Sequence, residues 1–170
     1  MHGQQKLNNP IDQVASEPQP PPTISPFIRI FASALYSGYS PVASGTAGTL
    51  VGLLFYLIPG FEEAIVVLPA CAIVFVLGSI AAGEMEKLYG QDPSAVTIDE
   101  VLGMWISLLF LPKSIVVIVA AFFIFRALDV FKPWPARTFD RKHGGWNIML
   151  DDVIAGIYTN LILQLATKFL

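Results

Sequence analysis

Three groups of ionisable residues stand at the ends of apolar segments. Asp99-Glu100 precedes VLGMWISLLFL, Arg126 and Asp129 lie just beyond SIVVIVAAFFIF, and Asp151-Asp152 precedes VIAGIYTNLIL. The last two groups belong to one polar island, Arg126 to Asp152, which holds 9 of the chain's 23 charged residues. Drawn to one face, the carboxylates Asp99, Glu100, Asp129, Asp151 and Asp152 would repel one another unless cations neutralise them. Hard divalent cations take oxygen ligands, and Mg²⁺ typically uses one or two carboxylates plus substrate phosphate. Arg126, Lys132, Arg137, Arg141 and Lys142 supply complementary charge for a phosphate. Carboxylates, a metal and cations together suit phosphoryl transfer, where catalysis is positioning and charge stabilisation. The island therefore points to a metal-dependent enzyme acting on a phosphorylated lipid.

Each group also has a purely structural reading. Thr97-Ile98-Asp99-Glu100 matches a capping box, with Thr97 at the N-cap and Glu100 at N3. Asp151-Asp152 near a helix start would complement the helix dipole, with Asn147 as cap. Arg126 and Asp129, three positions apart, would form an ordinary ion pair on one helix face. Lys132-Pro133-Trp134-Pro135 stops that helix, because the residue before a proline is pushed away from α geometry. Gly144-Gly145 gives the loop freedom before the final helix. His143, between Lys142 and Gly144, reads as a loop residue ahead of a general acid or base. SGTAGT (Ser44–Thr49) is Gly-rich and opens a helix, which suits an anion site with Thr46 as a substrate-binding candidate. It is not a P-loop, since no GKS/T follows, and its small residues equally allow close helix packing. Trp105, Trp134 and Trp146 read as interfacial anchors, and the single cysteine, Cys71, as a buried inert thiol.

The elements that must position these residues are apolar. The chain is 54% hydrophobic and only 14% charged, against about 25% charged for a soluble domain, which places it in or on a membrane. Its net charge of −3 and the lack of a basic stripe exclude nucleic acid as a partner, and no protein partner is implied. Residues 1–26 lack a signal peptide's apolar core and are Pro/Gln-rich, so a disordered cytosolic tail is expected, with insertion left to internal segments. Thr46–Pro59, Ala64–Ala82, Val101–Phe125 and Val153–Thr167 are the apolar blocks, and Phe27–Ser37 is a further candidate for a re-entrant or interfacial helix. Ala64–Ala82 is the clearest transmembrane candidate, while Pro112-Lys113 splits Val101–Phe125 into a hairpin of two short helices. The fold class expected is all-α: a compact bundle of short apolar helices, integral to or embedded in a membrane. If successive blocks alternate in direction, eight of ten Lys and Arg and 11 of 13 acids fall on one side, which the positive-inside rule makes cytosolic.

Three strings in this order, DEVLG (Asp99–Gly103), DVFKPWP (Asp129–Pro135) and GGWNIMLDDVIAG (Gly144–Gly156), together with SGTAGT, closely resemble the phosphatidylglycerophosphatase A family. The resemblance runs from Phe27 to about Thr167, within one membrane domain of residues 27–170. It implies a Mg²⁺-dependent phosphatase of the bacterial inner membrane, multi-pass, acting from the cytosolic leaflet. Its substrate would be phosphatidylglycerophosphate, whose terminal phosphate is removed to give phosphatidylglycerol. By resemblance, Asp99 and Glu100 match the first acidic motif, Asp129 and Lys132 the second, and Asp151 and Asp152 the third. The five acids would hold Mg²⁺ directly or through water, and Lys132 and Arg126 would stabilise the phosphoryl oxygens. Ser44 stands where the family's pattern has proline.

Two other classes are weighed against this one. A CDP-alcohol phosphotransferase would need a D-G-x-x-A-R string, which the chain lacks. A non-enzymatic membrane protein, such as a transporter subunit binding cations, would place its acids at mid-membrane, whereas these stand at segment ends.

Overall fold

The computed structural model describes residues 23–168, so the expected tail lies, up to residue 22, outside the described residues. Seven α-helices and one 3₁₀ turn (Ser37–Tyr39) account for the regular structure, with no strand among the described residues. The helices are α1 Pro26–Ala32, α2 Ser44–Tyr56, α3 Ala64–Tyr89, α4 Ile98–Ser107, α5 Ile115–Phe131, α6 Ala136–Asp140 and α7 Gly145–Ala166. The protein is an all-α, membrane-associated bundle. α7 is its axis, with α4 packed most extensively against it and α3, α5 and α6 around them.

The bundle is apolar outside and holds its small and polar residues within. Ile65, Ile73 and Ile80 on α3, Val116 and Phe123 on α5, and Leu161 and Leu165 on α7 all face outward. Thr49, Ser79, Ser107 and Thr159 are buried. Such a distribution suits a hydrocarbon solvent. α3 and α7 are each long and apolar enough to cross a membrane. α2, α4 and α5, at about 20, 15 and 26 Å by the helical rise, fall short of a bilayer core of about 30 Å.

Helix boundaries differ instructively from the hydropathy blocks. α7 begins at Gly145, eight residues before the apolar block that opens at Val153. Its buried positions Ile148, Asp152, Ala155, Thr159 and Leu163 recur at helical spacing, so the polar first half turns its acids inward. α1 stops at Ala32 rather than running to Ser37, because Ala34, Leu35 and Tyr36 take left-handed backbone angles (φ 41, 59 and 68). The break at Pro112-Lys113 is as expected, with Ser114 capping α5 by accepting from the Val117 amide at 3.3 Å. The interfacial role expected of Trp105 is corrected: it is 6% exposed, packs at a tilt against the Phe61 ring and donates its indole N–H to the Gly52 carbonyl at 2.9 Å. A buried indole needs such an acceptor, and the α2 backbone provides it. Trp134 and Trp146 are exposed, and Cys71 is buried as expected.

Successive long helices run antiparallel, which gathers their polar ends at one pole. At the opposite pole Lys113 pairs with Glu62 at 2.8 Å, and Asn160 and Gln164 donate to the Leu109 carbonyl.

Candidate active site

The polar pole holds a cavity of about 230 Å³ lined by the ends of five segments. α4 contributes Asp99 and Glu100 from its first turn, α5 contributes Arg126 and Asp129 from its last turns, and Lys132 follows at its C-cap. α7 contributes Asp151 and Asp152, α2 its first residues Ser44 and Gly45, and the α3–α4 loop Asp92 to Val96. Two glycines make the convergence possible. A Cβ at Gly156 of α7 would lie 2.5 Å from the Gly103 carbonyl oxygen of α4, so only glycine lets these backbones meet. A Cβ at Gly45 would lie 2.6 Å from Glu100 Oε1 and 2.7 Å from an Arg126 guanidinium nitrogen.

The helix-end readings of Asp99-Glu100 and Asp151-Asp152 fail on their geometry, whereas the ion pair read for Arg126 and Asp129 forms. Thr97 makes no capping bond; its hydroxyl instead pairs with Ser37 at 2.9 Å, and Glu100 turns into the cavity. α7 has no acid in its first turn, and Asn147 donates to the His143 carbonyl rather than capping. Asp151 and Asp152 are 5% and 3% exposed, too deep to serve a helix end in water.

Charges in the cavity divide into two kinds. Arg126 Nη1 donates to Asp129 Oδ2 at 2.6 Å and stands 3.9 Å from Glu100 Oε1. Lys132 Nζ bridges Asp140 Oδ1 at 2.6 Å and Asp151 Oδ2 at 2.5 Å. Burial works against the Lys132 charge, but Asp151 and Asp140 outweigh it and hold the ammonium above its ordinary range. Asp99, Glu100 and Asp152 form the second kind, with one oxygen from each lying within 4.8 Å of the others. Burial pushes the carboxyls of Asp99 and Glu100 up, and neighbouring carboxylates push the same way: Asp129 on Asp99, and Asp99 on Glu100. Glu100 Oε2 is buried without a hydrogen-bond partner. Buried polar atoms are nearly always paired, so an orphaned oxygen on one of three converging carboxylates fits a hard cation as the trio's missing partner.

The profile of the Phosphatidylglycerophosphatase A family matches residues 30–167. The chain belongs to that family. Its relatives include phosphatidylglycerophosphatase A of Escherichia coli, 38% identical over 142 residues that cover 79% of this chain and 80% of the relative. Phosphatidylglycerophosphatase A of Haemophilus influenzae is 32% identical over 163 residues, 92% of this chain and 93% of the relative. A protein of Bacteroides thetaiotaomicron, provisionally named a phosphatidylinositol-3-phosphatase, is 37% identical over 139 residues, 76% of this chain and 87% of the relative. No solved structure matches the chain. Membership makes the protein a phosphatase that acts on lipid, and the acidic cavity is the candidate for its active site.

Not every residue singled out from the sequence reaches that cavity. The six residues of the phosphatidylglycerophosphatase A motifs, Asp99, Glu100, Asp129, Lys132, Asp151 and Asp152, line it together with Arg126. Of the five acids expected to hold metal, Asp99, Glu100 and Asp152 converge, while Asp129 and Asp151 are bonded to Arg126 and Lys132. Thr46 does not line the cavity; its neighbours Ser44 and Gly45 do. Arg137, Arg141 and Lys142 line a separate groove that shares Lys132. His143 stands outside, accepting or donating at Glu86 Oε1 at 2.9 Å while the Gly144 amide donates to Glu86 Oε2. Asp92, Asp140 and Glu86 were not distinguished by sequence. Asp140 has its partner eight positions away across a turn, and no local spacing announces such a pair.

Proposed function

We propose that the protein is a Mg²⁺-dependent phosphatidylglycerophosphatase, which hydrolyses the terminal phosphate monoester of phosphatidylglycerophosphate to phosphatidylglycerol and phosphate. The observation that carries this reading is the buried trio Asp99, Glu100 and Asp152, with its orphaned Glu100 oxygen, beside Arg126 and Lys132. The names of the Escherichia coli and Haemophilus influenzae relatives support the substrate. The antiparallel helices and the cation count support a multi-pass protein of the bacterial inner membrane with its cavity toward the cytosol.

Asp99, Glu100 and Asp152 would hold the ion, with Asp129 and Asp151 behind them. The oxygen-only donor set fits Mg²⁺, which keeps several waters and takes few carboxylates. The chemistry supplied by such a cation would be activation of water and shielding of the phosphoryl oxygens. Arg126 and Lys132 orient the phosphoryl group and stabilise its charge, their own positions fixed by Asp129, Asp140 and Asp151. Among the described residues no cysteine or histidine lines the cavity, which supports direct attack by water over a covalent intermediate on either.

Phosphate release from phosphatidylglycerophosphate in detergent, with and without Mg²⁺ and with phosphatidic acid as competitor, tests the reading. Release that requires the metal and resists the competitor is expected. No release in the presence of Mg²⁺ refutes it.

A further inference from the structure

Beside the acidic cavity, sharing Lys132 with it, lies a groove of opposite character. It spans about 580 Å³, and Lys132, Trp134, Arg137, Thr138, Arg141 and Lys142 line it, with no carboxylate among the described residues there. Arg137 and Arg141 stand four apart across α6 and its C-cap, so their side chains share a face. Among the described residues, none of Arg137, Arg141 and Lys142 has a carboxylate partner, whereas Arg126 and Lys132 next door are both paired. Arg137 reaches only the Phe131 carbonyl, at 3.5 Å, and Lys142 sits over the Phe139 ring. Three cations without a carboxylate partner, in a groove that shares Lys132 with the acidic cavity, constitute a charge in search of a partner.

The cavity's lining says what remains to be held. Its carboxylates, Asp92, Asp99, Glu100, Asp129, Asp151 and Asp152, outnumber Arg126 and Lys132, so it suits a cation with the one phosphoryl group that cation neutralises and repels a further anion. On the phosphatase reading above, the substrate carries two phosphates: the terminal monoester and an inner phosphodiester. The diester bears one negative charge, undergoes no reaction and needs only cationic donors, which guanidinium forks provide. Trp134, 80% exposed at the groove's edge, is of the type that settles at headgroup level, where the diester lies.

We infer that this groove is a second anion subsite, which takes the inner phosphodiester of the lipid whose terminal phosphomonoester enters the acidic cavity. The inference rests on the phosphatase reading and adds a basis for selectivity. A lipid with a lone phosphomonoester fills the cavity but leaves Arg137, Arg141 and Lys142 without a partner. Lys132, in left-handed geometry (φ 45) at the wall common to both spaces, joins the two subsites.

The test uses the full chain in neutral detergent, with the double variant Arg137→Gln, Arg141→Gln beside the parent. Phosphate release from phosphatidylglycerophosphate is measured with two competitors: glycerophosphoglycerol, a diester without a monoester, and inorganic phosphate. The variant should raise KM and the diester's inhibition constant by roughly 10- to 100-fold, with kcat kept and the constant for inorganic phosphate moving less than about twofold. Arg141→Lys should restore part of the loss. The inference is overturned if both competitors weaken together, if neither does, or if the diester fails to inhibit the parent. It is equally overturned if the defect emerges only when anionic lipid is added to the micelles, for then the groove binds the surrounding bilayer. A parent that releases no phosphate with Mg²⁺ present refutes instead the phosphatase reading beneath. Should the double variant aggregate, Lys142→Gln, at an exposed position, makes the same comparison.

Discussion

If the proposed Mg²⁺ site holds, replacing Glu100 by Gln should make the metal-free protein more stable while abolishing its activity. One oxygen each from Asp99, Glu100 and Asp152 lies within 4.8 Å of the others. At an effective dielectric constant near 20, each ionised pair repels by at least about 3.5 kcal/mol, and Glu100 takes part in two of the three pairs. That exceeds the cost of protonating one glutamate at neutral pH, about 3.7 kcal/mol, so protonation caps the strain that the substitution can release. Loss of the Arg126 contact at 3.9 Å offsets about 1 kcal/mol. A gain of up to about 2.7 kcal/mol remains, or roughly 5–10 °C in Tm for a chain of this size. Mg²⁺ at a hundred times its Kd should stabilise the parent by a similar amount, about 2.7 kcal/mol, and leave the variant nearly unmoved. Thermal unfolding in detergent, with chelator and with Mg²⁺, measures all four states. The reasoning is refuted if metal-free E100Q melts at or below the parent, or if Mg²⁺ raises both melting temperatures equally.

Gly45→Ala places a methyl group against Glu100 and Arg126, and should lower kcat by about 100-fold or more with Tm changed by only a few degrees; wild-type turnover would contradict the packing argument. Gly156→Ala should separate α7 from α4 at a cost of about 1–3 kcal/mol, seen as a Tm lower by roughly 3–10 °C, and an unchanged melt would refute it. Lys132→Met leaves buried Asp151 without its cation and should cost about 3–5 kcal/mol in denaturant unfolding, together with activity. Because the folded protein holds the carboxyls of Asp99 and Glu100 above their ordinary values, it binds more protons than the unfolded chain once pH exceeds about 4. Metal-free stability should therefore fall as pH rises, with a higher Tm near pH 5 than near pH 8, and saturating Mg²⁺ should flatten the slope; a rise toward pH 8 without metal contradicts the assignment.

Much of this protein was legible in its residues because its solvent filters them so strongly. Hydrocarbon cannot satisfy a charge, so charged residues at segment ends mark where polar chemistry is permitted, and Asp99, Glu100, Arg126, Asp129, Lys132, Asp151 and Asp152 stand out by that logic alone. The apolar blocks, the break at Pro112 and the stop at Lys132-Pro133 follow from backbone and hydropathy rules that act locally. Hydropathy misplaced the start of α7, since it reads a residue's affinity for water and not which way the residue faces. Gly145 to Asp152 are helical because α3, α4 and α6 cover their polar side.

Tertiary structure alone decided how the charges divide. By composition Asp129 and Asp151 are equivalent to Asp99, Glu100 and Asp152, yet the first two are bonded to Arg126 and Lys132 while the other three face one another. That division depends on distances of a few ångströms across helices far apart in sequence, set by the approach of Gly103 to Gly156 and of Gly45 to Glu100. The same holds for Trp105, drawn inward by the Gly52 carbonyl, and for Arg137, Arg141 and Lys142, grouped by α6 into a groove of their own. The sequence by itself determined which side chains carry charge and that they sit where helices end, because those properties belong to single residues and their neighbours. Only the fold decided which charges meet, because Coulomb energy and hydrogen bonding depend on separation in space, which chain position does not specify.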